Sequence, residues 1–545
     1  MKKISRRNFL KIAATASAVG ALSACGSSSS TASTTSTSSS ASENSNFNAT
    51  GLPVANEKVT YNVLTYQAAT SQIPVAEKYV FTALEEDTNV EIVFEEISAT
   101  AWEQKINLLV STGQTPDAII GGEIADIASA IDAELLIPLD DYMDYMPNLK
   151  HIYEVYPSAE GATSYLGDGL HYFYPSVGYK TFSSCRAPLF INQDWLDTLG
   201  LPMPTTTEEF FDTLVAFRDG DPNGNNSADE IGFSTFDGYF GLMFKDMFGA
   251  WDMMGIKNPV ETTARDGILD FNPITDNYRE AMTFFHELYI EGLLEPEALT
   301  LDETTKNVKI STEPAAYGAA QEWSLGTFGN NSSQYTVMDP LIGPSGAQKY
   351  TINDNAPVSQ AMVVFQGCKD PEILFRYMDH SLDGKFPLYA HYGEEGVLFE
   401  VDEDAKTFRV RDTEYTEMGE ATETYRPTYG MQNFFSNVGA CEYTEVMDPN
   451  SPNLAKQEWS DQYAPYMFTE QYPGSTPIPV VTTESKQIAL LEEELTVYLE
   501  AFCADFILNG TDDAKWETHL QKCEALEYQK VVAYYQDIYD AAYGL

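Results

Sequence analysis

Positive charge is what this sequence has least of for its size. Its 545 residues carry 31 Lys plus Arg against 82 Asp plus Glu, a formal net charge of −51. Phosphate backbones select clustered Lys and Arg, so a nucleic-acid partner is excluded. Cysteine is scarce, with six in all. Beyond Cys25, the set Cys185, Cys368, Cys441, Cys503 and Cys523 is odd and scattered, which argues against a disulfide framework, and no CxxC spacing points to zinc. These five read as small core residues. The six histidines, His151, His171, His286, His380, His391 and His519, include no HExxH pair, no GxSxG elbow exists, and no cysteine sits in a nucleophile motif. A glycosidase needs only two carboxylates, and these the acid count does supply. The stretch Leu64-Thr65-Tyr66-Gln67-Ala68-Ala69 has no glycine-rich dinucleotide turn, so no nucleotide cofactor is implied.

What is abundant is aromatic surface. With 33 Tyr, 29 Phe and 6 Trp, and 43% apolar residues, most of the chain must fold. The length suits two large domains or roughly three ordinary ones.

The first residues concern address. Lys2, Lys3, Arg6, Arg7 and Lys11 precede an Ala-rich apolar stretch from Ile12 to Leu22 with no acid, which is an export signal too short to span a membrane. Ser5-Arg6-Arg7-Asn8-Phe9-Leu10-Lys11 has twin-arginine form, and Leu22-Ser23-Ala24-Cys25 before Gly26 has lipobox form. Residues 1–24 are therefore expected to be removed, with Cys25 lipidated and anchoring the protein at the outer face of a bacterial membrane. Residues 25–55 continue as a Ser/Thr-rich tether, whose 25 or so flexible residues span roughly 25 to 30 Å.

The body reads as alternating strands and helices. Val59 to Leu64 predicts a strand, Pro74 to Glu86 a helix, Val90 to Ile97 a strand, Ala101 to Thr112 a helix, and Asp117 to Ile120 a strand ending at Gly121-Gly122. This βαβαβ order implies an open, largely parallel sheet, with ligands beyond the carboxyl ends of its strands, at Tyr66, Gln67, Gly122 and Glu123. Leu189 to Asn192 predicts another strand, Gln193 opens a short helix ending near Gly200, and Thr residues after Pro204 cap a helix running to Arg218.

Residues 219–230 form a hard-cation loop, with side-chain oxygens at alternate positions and Gly224 permitting the turn. One register is EF-hand-like: Asp219, Asp221, Asn223, Asn225 and Glu230. The other uses Asp221, Asn223, Asn225, the backbone of Ser227, Asp229 and Glu230, and suits the strand predicted at Ile231 to Ser234 better than a second EF helix would. Either register favours calcium in a structural role.

The run Leu189-Phe-Ile-Asn-Gln-Asp-Trp-Leu-Asp-Thr-Leu-Gly-Leu-Pro-Met-Pro-Thr-Thr-Thr-Glu-Glu, with Asp-Pro-Asn-Gly-Asn after it, resembles the family 1 extracellular solute-binding proteins of bacterial ABC importers. Gly113-Gln-Thr-Pro-Asp, Tyr392-Gly-Glu-Glu-Gly, Lys369-Asp-Pro-Glu-Ile-Leu-Phe-Arg-Tyr-Met-Asp, Phe506-Ile-Leu-Asn-Gly and Tyr535-Gln-Asp-Ile-Tyr-Asp-Ala-Ala-Tyr also fit, so the resemblance runs from about residue 57 to the end. It is strongest to the lipoprotein branch of LplA-type and alginate-oligosaccharide-binding proteins. The resemblance implies an α/β, two-lobed periplasmic-binding-protein-like clamp of type II, each lobe a mainly parallel sheet flanked by helices and discontinuous in sequence. The expected lobes are 56–180 plus 352–405, and 181–351 plus 406–545 with the calcium loop. In that branch the calcium loop resembles this one in the second register.

The implied function is a lipid-anchored receptor that is not an enzyme. It would bind a carbohydrate, an oligosaccharide, between the lobes and deliver it, as a monomer, to ABC permease subunits. Sugar rings need aromatic plates and hydrogen-bonding carboxylates or amides. The candidates are Tyr66, Glu123, Tyr174, Tyr239, Trp251, Gln321 and Trp323, with Glu322 beside them, while Trp195, Trp459 and Trp516 read as packing residues and Trp102 fits either role. The acidic balance disfavours acidic sugars. The alternative functions are a surface adhesin or sensor receptor, or a binder of peptide or another non-sugar ligand.

Overall fold

The β-branched run at Val59 forms strand β1, Val59–Gln67, and opens the βαβαβ unit that its sequence predicts. The computed structural model describes residues 45–67, 71, 73–177, 187–235, 237–238, 241–255, 261–301, 303–322, 325–351, 358–411, 428–431, 441–446, 452–468, 470 and 476–543. The export signal, Cys25, most of the tether, Cys185, Tyr239 and Trp323 lie outside these residues. No described helix is long and apolar enough to cross a membrane.

After β1 come α1 (Tyr79–Thr88), β2 (Val90–Ser98), α2 (Ala99–Thr112) and β3 (Ala118–Ile120). Helix α1 ends at Asn89 and α2 at Gly113, both left-handed, as helix C-termini favour. Then follow α3 (Ile127–Asp132), α4 (Pro147–Val155), α5 (Pro157–Thr163), β4 (Tyr174–Val177), β5 (Leu189–Asn192), α6 (Gln193–Leu199) and α7 (Thr207–Gly220). Thr206 and Glu209 close a capping box on α7, a contribution of about 1 kcal/mol. The middle of the chain holds β6 (Ile231–Ser234), the ribbon β7 (Asp237–Gly238) and β8 (Gly241–Leu242), the hairpin β9 (Thr262–Arg265) and β10 (Ile268–Phe271), α8 (Asp276–Ile290), α9 (Glu303–Ile310), β11 (Tyr317–Gln321) and β12 (Tyr335–Val337). Last come β13 (Val358–Val364), α10 (Pro371–His380), α11 (Phe386–Tyr392), β14 (Phe399–Asp402), β15 (Thr407–Val410), β16 (Thr444–Glu445), α12 (Pro452–Tyr463), α13 (Thr483–Asn509), α14 (Asp513–Ala525) and α15 (Tyr528–Tyr543).

Two sheets organise these elements. The first has the order β2-β1-β3-β13-β4 and the second β12-β5-β11-β6. In the first, β1 pairs parallel with β2 and β3, as the βαβ connections require, whereas β13 pairs antiparallel with β3 and β4. In the second only β11 and β6 are parallel, and β5 runs against both β11 and β12. Strand β13, arriving from a distant segment, enters the first sheet in the opposite sense, so this sheet, like the second, is mixed.

Strand periodicity divides each core by face. In the first sheet Tyr61, Val63 and Met362 face a cluster with Leu84, Phe375 and Met378, while Leu64, Ile119 and Val363 face another with Ile106 and Ile131. In the second, Leu189 and Ile191 pack on Trp195, Phe210 and Phe285, and Phe190 on Phe328, Tyr335 and Trp459. Cys503, Phe506 and Ile507 bring α13 into the second sheet's core. The segment just before α13 instead pairs with the first sheet's surroundings: Ile478 N–H donates to Ser164 O at 2.7 Å and Leu166 N–H to Ile478 O at 2.9 Å. Cys368, Cys503 and Cys523 are buried free thiols, and Cys441 is half-buried.

Candidate functional site

Beyond the carboxyl ends of β1 and β3, an aromatic corner is assembled from three segments. Tyr66 is the penultimate residue of β1, Gly121-Gly122-Glu123 follow β3, and Trp102 lies in the first turn of α2. The Trp102 indole N–H donates to the Glu123 carbonyl at 2.8 Å, and its ring stands edge-on to Tyr66 with centroids 5.8 Å apart at 81°. A Cβ at position 122 would lie 2.4 Å from the indole, so glycine is needed for the ring to lie down there. Gln360 on β13 holds the loop: its N–H donates to Glu123 Oε1 at 3.3 Å, and its side chain exchanges two 3.0 Å hydrogen bonds with the Ile124 backbone. Burial pushes the Glu123 carboxyl up from the usual carboxylate range, opposed by the Gln360 N–H.

A second feature is a set of buried polar groups without a hydrogen-bond partner among the described residues. Thr65 Oγ1 near the end of β1, Ser234 Oγ and Thr235 Oγ1 at the end of β6, and Gln321 Oε1 at the end of β11 all belong to it. The parallel register sets Ala320 opposite Ser234, so the last three groups sit together at the carboxyl ends of two neighbouring strands of the second sheet. A buried polar atom left unpaired costs about 1–3 kcal/mol, and such atoms in native proteins point to water or ligand. Gln321 Nε2 donates to Tyr350 Oη at 3.3 Å; the Tyr350 hydroxyl donates to Ala187 O, and its ring packs edge-on to Tyr463 at 4.8 Å. Glu322, next in the chain, pairs with Lys306 on α9, both side chains 1% exposed.

Of the residues expected to meet ligand, Tyr66 and Glu123 come together at the corner, and Gln321 lies at the carboxyl end of β11 in the second sheet. Tyr174 and Trp251 sit elsewhere. Tyr174 is fully buried in the first core, its hydroxyl donating to Asp379 Oδ1 at 3.0 Å. Trp251 is buried against Phe284 and Phe285, at 5.4 and 6.3 Å. Both rings pack among apolar neighbours, and the Trp251 indole N–H has no hydrogen-bond partner among the described residues. Trp195, Trp459 and Trp516 are buried packing residues. Gln360 was absent from the expected set, and Trp102 was left open between packing and ligand; the Gly121-Gly122 pair, which admits the indole, was the one local signal for it.

The loop after α7 is shaped by its own carboxylates and amides. Asp219 turns back to Arg218, bonded at 2.8 and 3.1 Å. Asp221 is left-handed, φ 47°, and accepts from the N–H groups of Asn225 and Asn226, each at 3.1 Å. Asn225 Nδ2 donates to both Asp229 oxygens, and Ser227 N–H donates to Asn225 Oδ1 at 2.7 Å. Asn223 Nδ2 reaches Ala315 O just before β11. Glu230 is 6% exposed, and among the described residues neither carboxylate oxygen has a hydrogen-bond partner. Burial raises its pKa most, and the charges of Asp229 and Asp221 add to this against the opposing pull of the nearby Glu230 and Asp229 backbone N–H groups. Among the described residues no preformed group of three or more His, Cys, Asp or Glu stands ready for a metal. The orphaned Glu230 carboxylate, beside two further carboxylates and two amide oxygens, does fit a hard cation's donor set.

The family model for bacterial extracellular solute-binding proteins matches residues 68–380, more than half of the chain. This chain belongs to that family. Among curated relatives, the solute-binding protein is 28% identical over 504 residues to the fructooligosaccharide ABC transporter substrate-binding protein FusA of Streptococcus pneumoniae, covering 89% of this chain and 90% of FusA. The structure of FusA in complex with kestose superposes with a TM-score of 0.76 at 27% identity, over 89% of this chain and 100% of FusA, and a second FusA structure is described as an EF-hand mutant with fructo-nystose. A human-milk-oligosaccharide-binding solute-binding protein of Bifidobacterium longum infantis shares the fold, with a TM-score of 0.78 at 21% identity over 89% of this chain and 99% of the other. The solute-binding protein is accordingly an α/β clamp of the periplasmic-binding type.

Proposed function

We propose that this solute-binding protein is the receptor of an ABC importer and binds an oligosaccharide between two lobes. The observation that carries the reading is the pairing of an aromatic corner, Tyr66 with Trp102 beside the Glu123 carboxylate, with unpaired hydroxyl and amide groups at the strand ends of both sheets. Sugar C–H faces stack on such rings, and sugar hydroxyls both donate to and accept from Thr65, Ser234, Thr235 and Gln321. The relatives that bind fructooligosaccharide and human-milk oligosaccharide point the same way.

In this reading each sheet is the centre of one lobe, with residues 56–180 and 352–405 in the first and 181–351 and 406–545 in the second. The hairpin β14–β15 straddles residue 405 and packs Phe399 and Phe408 with Leu388 of α11, so the first lobe is better extended through Val410. Ligand draws the lobes together, because it contacts both rims only in the closed form. The closed receptor then docks on the permease. Lipidated Cys25 holds the monomer at the extracytoplasmic face of the membrane, and the tether lets it reach its partner. The role is transport and not catalysis. Calcium fits the loop at Asp221, Asn223, Asn225, Ser227, Asp229 and Glu230, where it would supply the cation that Glu230 lacks and join α7 to β6.

A thermal-shift screen of the body from Ser45 onward against mono- and oligosaccharides, with and without chelator, tests the proposal. A dose-dependent rise in Tm with one sugar class is expected, since a ligand that binds only the folded state stabilises it by mass action. A flat response to every sugar would overturn the carbohydrate reading in favour of a peptide ligand or an adhesin.

A further inference from the structure

Beside the aromatic corner, a groove opens between α2 and the loop that joins β3 to α3. Its volume is about 210 Å3, below the roughly 300–1,000 Å3 of a drug-sized site and on the scale of one small ring. Trp102, Ile106 and Val110 project into it from one face of α2 at four-residue spacing, and Ile124 lines the opposite wall. Asn107 and Ser129 add polar groups at its edge. An apolar floor with a tryptophan and a few polar edge groups is the chemistry that holds a sugar ring.

Two facts tie the groove to the rim. The indole that stands edge-on to Tyr66 is also a wall of the groove, and it is fixed there by its hydrogen bond to the Glu123 carbonyl. Glu123 likewise belongs to both. A chain passing the rim therefore meets the groove within one ring's width of Trp102. The charged groups lining the groove are carboxylates, Glu103, Glu123 and Asp126, which repel a uronate and accept hydrogen bonds from neutral hydroxyls.

We infer that this groove is a subsite for one neutral monosaccharide unit of an oligosaccharide whose other units lie at Tyr66 and Glu123. The inference rests on the carbohydrate reading above and adds to it a readout of chain length by α2. A mono- or disaccharide fills the rim alone; a longer chain gains the contacts of Asn107 and Val110 as well.

The test is isothermal titration of the body from Ser45 onward with malto-, cello-, xylo-, fructo- and galacturono-oligosaccharides, from disaccharide to hexasaccharide. In the neutral series that binds, Kd should fall at the length that first reaches the groove. Val110→Trp, which fills the groove from a half-buried position, should remove that gain, weakening the longer chains about tenfold while leaving the shorter ones unchanged. Asn107→Ala, at an exposed position that leaves the fold intact, should give a smaller loss at the same lengths. Variants that weaken all lengths equally, or none, overturn the subsite and leave the carbohydrate reading standing. Groove-dependent binding of the galacturonate series overturns the neutral assignment. A wild-type protein that binds no saccharide overturns both readings.

Discussion

Replacing Glu230 with Gln should have opposite effects with and without calcium. The side chain is 6% exposed, neither oxygen has a hydrogen-bond partner, and Asp229 and Asp221 lie close enough to raise its pKa. Without metal, Glu230 is a buried anion in an acidic loop. Neutralising it removes a desolvation cost that for an unpaired buried group is about 1–3 kcal/mol, so Glu230→Gln should be as stable as wild type or more stable by about 1 kcal/mol. With calcium at about a hundred times its Kd, wild type gains about 2.7 kcal/mol, and the variant, short of a carboxylate ligand, gains much less. The order then inverts. For a folded unit of this size 1 kcal/mol corresponds to something on the order of 1 °C, so calcium should raise the wild-type Tm by about 3 °C. Differential scanning calorimetry in EGTA and in calcium chloride reads both signs. The folded pKa of Glu230 lies above the unfolded value, so its stabilising contribution is complete below the unfolded pKa and is lost as pH rises through the folded one. In EGTA, wild type should therefore gain on the variant as pH falls from 7 towards 5. A variant less stable than wild type in EGTA, with an equal calcium gain for both, would refute the assignment.

Trp102→Ala should weaken the bound saccharide about tenfold with little change in Tm, and Gly122→Ala should approach the same loss without touching any ligand contact, because its Cβ would displace the indole; titration calorimetry measures both. Lys306→Met removes the ammonium facing buried Glu322 and should cost about 3–5 kcal/mol in urea unfolding, whereas replacing both residues with apolar ones of similar volume should recover most of it. Burial raises the Asp379 pKa to about 6, against the pull of the Leu149 and Asn148 N–H groups. A raised folded pKa means stability that is complete below about pH 4 and lost as pH passes 6. The Tm difference between wild type and Asp379→Asn should shift across that window, and a difference constant with pH would contradict it.

The local architecture was legible because its signals lie within a few residues of their effects. Leu189–Asn192 and Ile231–Ser234 are strands with the expected bounds, Gly200 ends α6 in the left-handed region at φ 67°, and Thr206 with Glu209 caps α7. The corner was half legible. Tyr66 and Glu123 follow from the rule that ligands gather at the carboxyl ends of parallel strands. Trp102 belongs to a helix start, and its role depends on where Gly122 comes to lie.

Composition, the signal and lipobox pattern, the βαβαβ order and the cation-loop spacing were properties of the sequence by itself, since each rests on short-range periodicity, capping or residue chemistry. Tertiary structure alone decided that β13 enters the first sheet antiparallel, that Gln360 reaches back 237 residues in the chain to hold Glu123, and that the Tyr174 and Trp251 rings are buried while Trp102 lines a groove. Whether an aromatic ring is buried or presented depends on neighbours brought together by long-range packing, and no window of sequence contains them.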